Sequence, residues 1–355
     1  MEANEALHNF IKSIPLFSFV DTREMSDILR LLRPVELGAG EVLFREGEAG
    51  KAMWVLGTGV EVSISTTPKD SRRPIAVAYA RAGETVGEMA LVDDGVRSGT
   101  AVVVQGGHAH QIDAMEFETL RNGFQPAAFK VLRQICKDLC GKLRATTDRI
   151  VPPGSKPVDT PALANGRRPT NDEIDSYEPF KKMPAVVKLA LAQKLEVYDV
   201  ENITPLFAEG EVADAAWFLV SGEVGVGRNG KTLATLEAGT MFGIVGCIDQ
   251  GRRSASCITL GPARLMRLKD AEFDQLFTSG NRFAFQMVDL VARQLVAHVR
   301  NANRLIPQPG RGVPPAVAPA TAAPAPRPPP SPAEAEIMIP LELELDVKDL
   351  EEAVG

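Results

Sequence analysis

Two segments of the chain repeat the same order of residues. They read Val86-Gly87-Glu88-Met89-Ala90-Leu91 followed by Arg97-Ser98-Gly99-Thr100, and Phe242-Gly243-Ile244-Val245-Gly246-Cys247 followed by Arg253-Ser254-Ala255-Ser256. We name residues 86–100 cassette 1 and residues 242–256 cassette 2. In both, the arginine follows the first glycine by ten residues. A short turn of backbone N–H groups that ends in an arginine matches the oxygens of a phosphate. The repeat therefore predicts two related units, each built around an anion-binding turn.

Length and charge limit the classes of protein that fit this chain. Its 355 residues exceed a single hydrophobic core and suggest two domains with connecting segments. A hydrophobic content of 45% is enough for packed interiors. The formal charge of −7, with arginines scattered along the chain, argues against nucleic-acid binding, which needs clustered cations. We therefore expect no direct contact with nucleic acid.

The sequence predicts a soluble cytoplasmic protein. No apolar run approaches the length of a membrane span, and Met1-Glu2-Ala3-Asn4-Glu5 lacks the basic and apolar regions of a secretory signal. Four cysteines in so long a chain do not form a disulfide framework. Cys136 and Cys140 lie one helical turn apart without a nearby histidine. Buried thiols are favoured over a zinc site.

The first unit predicts a helix followed by a small antiparallel barrel. A helix start is indicated at Asp21-Thr22-Arg23-Glu24, before apolar residues at helical spacing. From Gly38 onward, short alternating runs are separated by Gly-rich turns. This pattern is typical of a jelly roll.

A long amphipathic helix closes each unit. Apolar residues from Phe129 to Ile150, and again from Phe285 to Ala302, recur at intervals of three or four. The second unit repeats the strand motifs, because Leu206-Phe207-Ala208-Glu209-Gly210 matches Leu43-Phe44-Arg45-Glu46-Gly47. The predicted fold is mainly β with flanking helices (α+β), with two jelly-roll, or double-stranded β-helix, domains that each end in a helix.

Composition divides the chain into four segments. We expect domain 1 over residues 10–150, a Pro-rich linker over 151–179, domain 2 over 180–306, and a Pro- and Ala-rich tail over 307–355. Such a tail cannot bury a core and predicts a disordered or polyproline arm. Its acidic end, residues 337–352, alternates leucine with glutamate; it could add to a partner's sheet edge or serve as a solubilising tail.

The order of motifs resembles the cyclic nucleotide-binding domain family, found in catabolite activator proteins and kinase regulatory subunits. The shared features are a leading helix, the Glu-Gly turn, an aromatic-apolar strand, the cassette with its arginine, and the closing helix. The resemblance covers residues 10–150 and 180–306. It implies a non-enzymatic receptor whose ligand is a cyclic nucleotide and which needs no other cofactor.

The resemblance assigns roles in cassette 1. Arg97 would pair with the cyclic phosphate, Glu88 would accept from the ribose 2′-hydroxyl, and backbone donors near Ala90 and Ser98 would complete the cradle. The alternative for Glu88 and Arg97 is a salt bridge to each other that only fixes the loop. The predicted ligand-binding set is Gly87, Glu88, Met89, Ala90, Arg97, Ser98, Gly99 and Thr100.

Cassette 2 departs from the pattern at one decisive position. Ile244 stands where the family has its glutamate, so a ribose hydroxyl would face an alkyl group. A buried polar group left unpaired costs about 1 to 3 kcal/mol, which predicts a weak or absent site. Alternatively, Arg253 could serve a domain interface or be solvated beside Arg252. The corresponding set is Gly243, Val245, Gly246, Arg253, Ser254 and Ala255.

These assignments lead to an expected ligand and an expected role for the protein. Ser98 after the cassette arginine favours cyclic AMP over cyclic GMP within the family. We expect a receptor, with domain 1 as the principal site, that changes its contacts with a protein partner when the ligand binds. The alternatives are a scaffold that keeps the fold without ligand dependence, a regulatory subunit of a protein kinase, and a transcription regulator that acts through a separate DNA-binding partner.

Two further features have alternative interpretations. The apolar stripes of the closing helices could form a homodimer or could pack on their own barrels as lids. The sequence Arg167-Arg168-Pro169-Thr170 resembles a site for basophilic kinases, but an exposed basic turn is the more economical interpretation.

Overall fold

Two jelly-roll domains of the same topology follow each other along the chain. The structure, a computed structural model, describes residues 2–68, 73–154, 160–161, 163–164 and 166–306. The predicted tail over 307–355, with its acidic end, lies outside the described residues.

Domain 1 contains two four-stranded antiparallel sheets. Their strand orders are β1-β8-β3-β6 and β2-β7-β4-β5. The strands are β1 Arg33–Leu37, β2 Val42–Phe44, β3 Ala52–Leu56, β4 Glu61–Thr66, β5 Ile75–Arg81, β6 Thr85–Val86, β7 Thr100–Gln105 and β8 Gly107–Asp113. Apolar side chains from both sheets, Trp54 among them, fill the space between the sheets.

Domain 2 repeats this arrangement strand for strand. Its sheets have the orders β9-β16-β11-β14 and β10-β15-β12-β13. The strands are β9 Leu195–Val200, β10 Pro205–Phe207, β11 Ala215–Ser221, β12 Val224–Arg228, β13 Lys231–Leu236, β14 Met241–Phe242, β15 Ser256–Thr259 and β16 Ala263–Lys269. Trp217 lies in its core. The predicted pair of jelly rolls with flanking helices is confirmed.

Helices flank the two barrels. They are α1 Glu2–Ser13, α2 Thr22–Leu31, α3 Ala114–Asn122, α4 Pro126–Ile150, α5 Asn171–Ser176, α6 Glu178–Lys181, α7 Ala185–Lys194, α8 Ile244–Asp249, α9 Asp270–Thr278 and α10 Arg282–Asn303. Helix α2 begins at the predicted capping box, in which Glu24 accepts from the backbone N–H of Asp21 at 3.0 Å. The closing helices α4 and α10 include the apolar residues predicted for them, within 129–150 and 285–302.

Folded structure extends into the segment predicted as a linker, residues 151–179. Helices α5 and α6 lie within it, and Thr170 caps the first of them. Arg167 donates to Glu173 at 2.5 and 2.7 Å and pairs through its backbone with β9. These partners come from side chains and a distant strand, so the Pro-rich composition did not reveal them. Because Arg167 is engaged, the structural interpretation of the Arg-Arg-Pro-Thr sequence is favoured over a kinase site.

The closing helices pack against each other within one chain. The rings of Phe129 on α4 and Phe285 on α10 lie 5.7 Å apart between centroids. Thr146 and Asn303 approach to 3.4 Å between side-chain oxygens near the other end of the pair. One hydrophobic core contains buried residues of both helices and of both domains. The apolar stripes thus face each other, an intrachain use that neither sequence interpretation anticipated; a homodimer through these helices stays a prediction.

All four cysteines are buried and free, as predicted. Burial raises the pKa of each thiol, to about 12 at Cys257. Protonated, enclosed thiols are unreactive. Within the described ranges, no helix combines the length and apolarity needed to cross a membrane.

The shared core predicts that the two barrels unfold together. Phe285 of domain 2 packs edge-on against Phe124 of domain 1 at 5.5 Å and also contacts Phe129. Phe285→Ala should lower the free energy of unfolding by about 3–5 kcal/mol, because it removes a buried aromatic ring. The two tryptophans allow each barrel to be followed separately by fluorescence in urea, with Trp54→Phe or Trp217→Phe as the background.

The unfolding transitions reported by Trp54 and Trp217 should shift to a lower urea concentration by the same amount. The matched control is Phe19→Ala, because Phe19 is 60% exposed and its loss should cost under about 1 kcal/mol. A shift of the Trp217 transition alone would contradict a common core.

Candidate functional site

In each cassette, the arginine side chain packs against the glycine that precedes it by ten residues. Gly87 has φ +87° and precedes a 3₁₀ turn over Glu88–Leu91. A Cβ atom at Gly87 would lie 2.7 Å from Nη1 of Arg97, and one at Gly243, with φ +71°, would lie 2.7 Å from Nη1 of Arg253. Only glycine combines this left-handed backbone with an open face for the guanidinium. The repeated motif therefore builds the same arginine seat twice.

Arg97 is held in a fixed orientation inside domain 1. Its Nη1 donates to the carbonyl oxygen of Gly87 at 3.1 Å and its Nη2 to that of Ala52 at 2.6 Å. The guanidinium lies 4.1 Å from the ring centroid of Phe44, and the residue is only 7% exposed. Burial lowers the pKa of Arg97 to about 10, so the group keeps its positive charge at neutral pH. Its side-chain hydrogen bonds thus go to neutral carbonyls, while the carboxylates of Glu88 and Glu48 interact with its charge from nearby.

Glu88 is buried beside Arg97 but is engaged by a different cation. Lys142, on α4, donates to its Oε1. Burial alone raises the pKa of this carboxyl group, but the charge and hydrogen bond of Lys142 outweigh it, and the pKa lies below its usual value. Glu88 and Arg97 interact through their charges, but each makes its side-chain hydrogen bonds to other groups. The alternative in which the two residues only fix the loop stays a prediction. The role of Glu88 toward a ribose hydroxyl stays a prediction.

A cavity of about 200 Å³ opens over Arg97 and Ser98. Its walls come from both domains and comprise Glu46, Gly47, Thr66, Val96, Arg97, Ser98, Arg300, Asn303 and Arg304. The carboxylate of Glu46 accepts from Thr66 at 3.1 Å and from the backbone N–H of Thr67 at 2.8 Å. The walls thus include three arginines and one glutamate, and Arg300 is itself paired with Asp93. The excess of guanidinium groups over carboxylates suits an anion.

The remaining predicted residues of cassette 1 shape the loop around this cavity. Ala90 and Gly99 are buried, and a Cβ atom at Gly99 would lie 2.6 Å from the carbonyl oxygen of Ser65. Thr100 Oγ1 accepts from the backbone N–H of Glu46 at 3.0 Å. Half-buried Met89 lies 3.7 Å from Ser98, measured from sulfur to hydroxyl oxygen. The glycine after Ser98 is thus required by a close backbone approach.

Sequence reasoning missed the part of the site that α10 supplies. Arg300, Asn303 and Arg304 belong to the closing helix of domain 2, about 200 residues from cassette 1. Arg300 binds Asp93 of cassette 1 through both carboxylate oxygens, at 2.6 and 2.8 Å. Basic residues are common in the last turn of a helix, so the sequence carried no specific signal for this contact.

The same contact occurs in the opposite direction at cassette 2. Arg144, on α4 of domain 1, binds Asp249 at 2.5 and 2.9 Å and donates to the carbonyl oxygen of Arg252 at 2.8 Å. One interval of 156 residues relates the two aspartates, the two helix arginines and the two cassette glycines. Each closing helix therefore lies across the cassette of the other domain.

Arg253 has the same seat as Arg97 but a different charge environment. It donates to the carbonyl oxygens of Gly243 at 2.7 Å and Ala215 at 2.8 Å, and also to the carboxylate of Asp214 at 2.8 Å. At the position matching Asp214, domain 1 has Lys51. Arg253 is 3% exposed in the chain, so the interpretation as a solvated residue is wrong. A role at the domain interface stays a prediction. The charge of Arg253 is balanced by a carboxylate.

Two charged residues of domain 1 have neutral counterparts in domain 2. Ile244 and His298 occupy the positions of Glu88 and Lys142, 156 residues later. Burial lowers the pKa of the His298 imidazole, although its contact with the carbonyl oxygen of Met241 at 2.8 Å acts in the opposite direction. The imidazole is therefore neutral at neutral pH.

The predicted residues of cassette 2 line a second cavity. It has a volume of about 170 Å³ and lies between the barrel and the ends of α4 and α10. The cassette contributes Gly243, Ile244, Val245, Gly246, Arg253, Ser254 and Ala255. Among the described residues, no group of three or more His, Cys, Asp or Glu side chains is placed to hold a metal ion.

Both cassettes lie in segments that match a known protein family. Residues 34–123 and 200–279 match the family model of the cyclic nucleotide-binding domain. Each barrel is a cyclic nucleotide-binding domain. The matched segments contain both cassettes but not the closing helices. The resemblance inferred from the motifs is therefore confirmed for the two barrels.

Relatives with assigned names align over one or both domains. The chain is 25% identical over 285 residues to the cAMP-dependent protein kinase regulatory subunit of Yarrowia lipolytica, covering 78% of this chain and 64% of that protein. It is 30% identical over 96 residues to the cyclic AMP receptor protein of Thermus thermophilus, covering 26% of this chain and 44% of that protein. The chain thus spans less than two thirds of the length of these relatives.

A solved structure also aligns with both domains. The regulatory domain of Toxoplasma gondii PKA with cAMP is 17% identical, with 79% of this chain and 94% of that chain covered and a TM-score of 0.31.

The packing of Arg97 on Gly87 predicts a specific cost for a methyl group. Gly83 has nearly the same backbone, with φ +85°, but open space around it, and serves as the matched control. Gly83→Ala should lower the free energy of unfolding by about 1–2 kcal/mol through backbone strain alone. Gly87→Ala should cost about 1–3 kcal/mol more, because the guanidinium must also move. Urea denaturation measures both, and equal losses would contradict the packing relation.

Proposed function

We propose that the chain is a receptor for a cyclic nucleotide and that domain 1 is its principal site. The observation that carries this proposal is the contrast between the two buried arginines. The guanidinium of Arg97 donates to two carbonyl oxygens and shares its cavity with Arg300 and Arg304. The guanidinium of Arg253 donates in addition to Asp214, which also binds Arg267. A cyclic phosphodiester carries one negative charge, which the guanidinium of Arg97 can pair with through two N–H groups.

Cyclic AMP is the proposed ligand. The serine after Arg97 favours it within the family, and the aligned relatives from Yarrowia lipolytica and Thermus thermophilus are named for cyclic AMP. Glu88 binds Lys142 through Oε1, and its carboxylate has further acceptor positions for a ribose 2′-hydroxyl. Ile244 offers no such acceptor in domain 2, which supports the choice of domain 1.

Ligand binding is proposed to act on the helix pair. A nucleotide against Arg97 would contact Arg300 and Asn303 of α10, and therefore touch both domains at once. Because a ligand favours the arrangement that it binds best, it would shift α10 and the surface beside it. A protein partner that reads this surface would then sense the ligand.

A regulatory subunit of a protein kinase is the second candidate. It is favoured by the relative from Yarrowia lipolytica, whose alignment extends over both domains. In that case the partner would be a kinase catalytic chain. The two candidates share the same ligand site.

Binding of a fluorescent cyclic AMP to the full chain tests the proposal. Arg97→Ala should weaken binding roughly 10- to 150-fold, the equivalent of about 1.5–3 kcal/mol for hydrogen bonds to a charged group. Arg253→Ala is the matched control and should leave the affinity unchanged. Hydrogen exchange in α10 should slow when the nucleotide is added to the natural chain and stay constant in Arg97→Ala.

Urea denaturation of both variants checks that the fold survives, and Arg97→Lys, which keeps the charge but loses the fork, provides a milder substitution. A chain that binds no nucleotide before mutation would be a scaffold. Loss of binding in Arg253→Ala instead of Arg97→Ala would place the principal site in domain 2.

A further inference from the structure

The cavity of domain 2 differs in chemistry from that of domain 1. Its walls are mainly apolar and come from the barrel and from both closing helices, as in Phe207, Val226, Leu236, Phe242, Leu143 and Leu305. Its volume of about 170 Å³ is that of a site for a small ring. An enclosed cavity of comparable size with wholly apolar walls accepts a compact ring. Apolar walls predominate here too, although the cavity opens to solvent beside Leu305.

Charged groups around this cavity are engaged elsewhere. The guanidinium of Arg253 is bonded to Asp214, and Arg144, which corresponds to Arg300, is bonded to Asp249. Asp148 occupies the position of Arg304 and accepts from Arg228 at 2.6 Å. Arg300 is ion-paired in the same way as Arg144, so the two cavities differ at the other two positions: Arg253 is bonded to a carboxylate, and Asp148 replaces Arg304.

The cavity also disfavours a ribose. Ile244 occupies the wall where a carboxylate would accept from a sugar hydroxyl, and the ring of His298 is committed to the carbonyl oxygen of Met241. A polyhydroxylated ligand would therefore bury polar groups without partners. An apolar body meets no such cost on these walls.

Polar side chains also line the cavity, among them Thr147, Thr235, Ser254 and Asn301. The hydroxyl of Thr147, on α4, donates to the carbonyl oxygen of Leu143 at 2.8 Å and retains acceptor capacity for a donor on a ligand. A single hydrogen bond of this kind fixes the orientation of a ligand that is otherwise held by apolar contact.

We propose that the domain 2 cavity is a binding site for a small, uncharged molecule with a mainly apolar ring and one hydrogen-bond donor. The site depends on Ile244, the balanced charge of Arg253, and the apolar ends of α4 and α10. This cavity is separate from the domain 1 cavity. Failure of cyclic nucleotide binding in domain 1 would therefore not contradict the proposal.

Two fluorescent probes of matched size test the proposal on the full chain. 2-Naphthol is uncharged and carries one donor, and naphthalene-2-sulfonate has the same rings with a negative charge. In equilibrium dialysis, 2-naphthol should bind one molecule per chain at least tenfold more tightly than the sulfonate. Arg97→Ala should leave its affinity unchanged, and in that variant, whose domain 1 site is disabled, saturating cyclic AMP should not displace it.

Variants locate the binding. Ala234→Phe fills the cavity from β13 and should weaken 2-naphthol binding at least tenfold. Its matched control is Ala78→Phe on β5, the corresponding strand of domain 1, which should have no effect. Leu305→Asp places a charge at the mouth, where Leu305 is 42% exposed, so the fold should tolerate it and binding should weaken.

Equal or tighter binding of the sulfonate would overturn the proposal. So would an absence of 2-naphthol binding up to its solubility limit, displacement by cyclic AMP in Arg97→Ala, or unchanged binding in both Ala234→Phe and Leu305→Asp.

Discussion

The pairing of the two closing helices is the interaction on which both sites depend. Helices α4 and α10 share one hydrophobic core, and each ends on the cassette of the opposite domain. The ion pairs of Arg300 with Asp93 and of Arg144 with Asp249 fix these crossed contacts. Both are largely shielded from solvent and bidentate or nearly so, which makes them stronger than ordinary surface pairs. Neither cavity is therefore complete within its own domain.

On this common frame, the two sites differ in charge rather than in shape. Both cassettes seat an arginine against a left-handed glycine, a carbonyl oxygen and an aromatic ring. Around Arg97 the neighbouring positions carry Lys51, Lys142 and Glu88, whereas domain 2 replaces them by Asp214, His298 and Ile244. A handful of substitutions thus separates a site suited to an anion from one that is neutral and apolar. Repetition of the domain provides two pockets, and these substitutions line them with different charges.

Local patterns were sufficient to predict the elements and the cassettes. The capping box at Asp21, the three-four spacing in α4 and α10, and the interval between glycine and arginine all reflect contacts between residues close in sequence. The helices inside 151–179 and the contribution of Arg300 were not predictable in this way. Arg167 finds its partners on β9, and Arg300 finds Asp93 more than 200 residues away. Such contacts depend on how two domains pack, for which one sequence carries no periodic signal.

A crystal structure of the full chain grown with cyclic AMP tests the central claim most directly. The account predicts one nucleotide per chain, in domain 1, with its phosphate against Arg97 and the end of α10 in contact with it. No nucleotide should lie against Arg253. A nucleotide bound in domain 2, or density in neither site at a saturating concentration, would contradict the assignment of an anion site to domain 1 and a neutral cavity to domain 2.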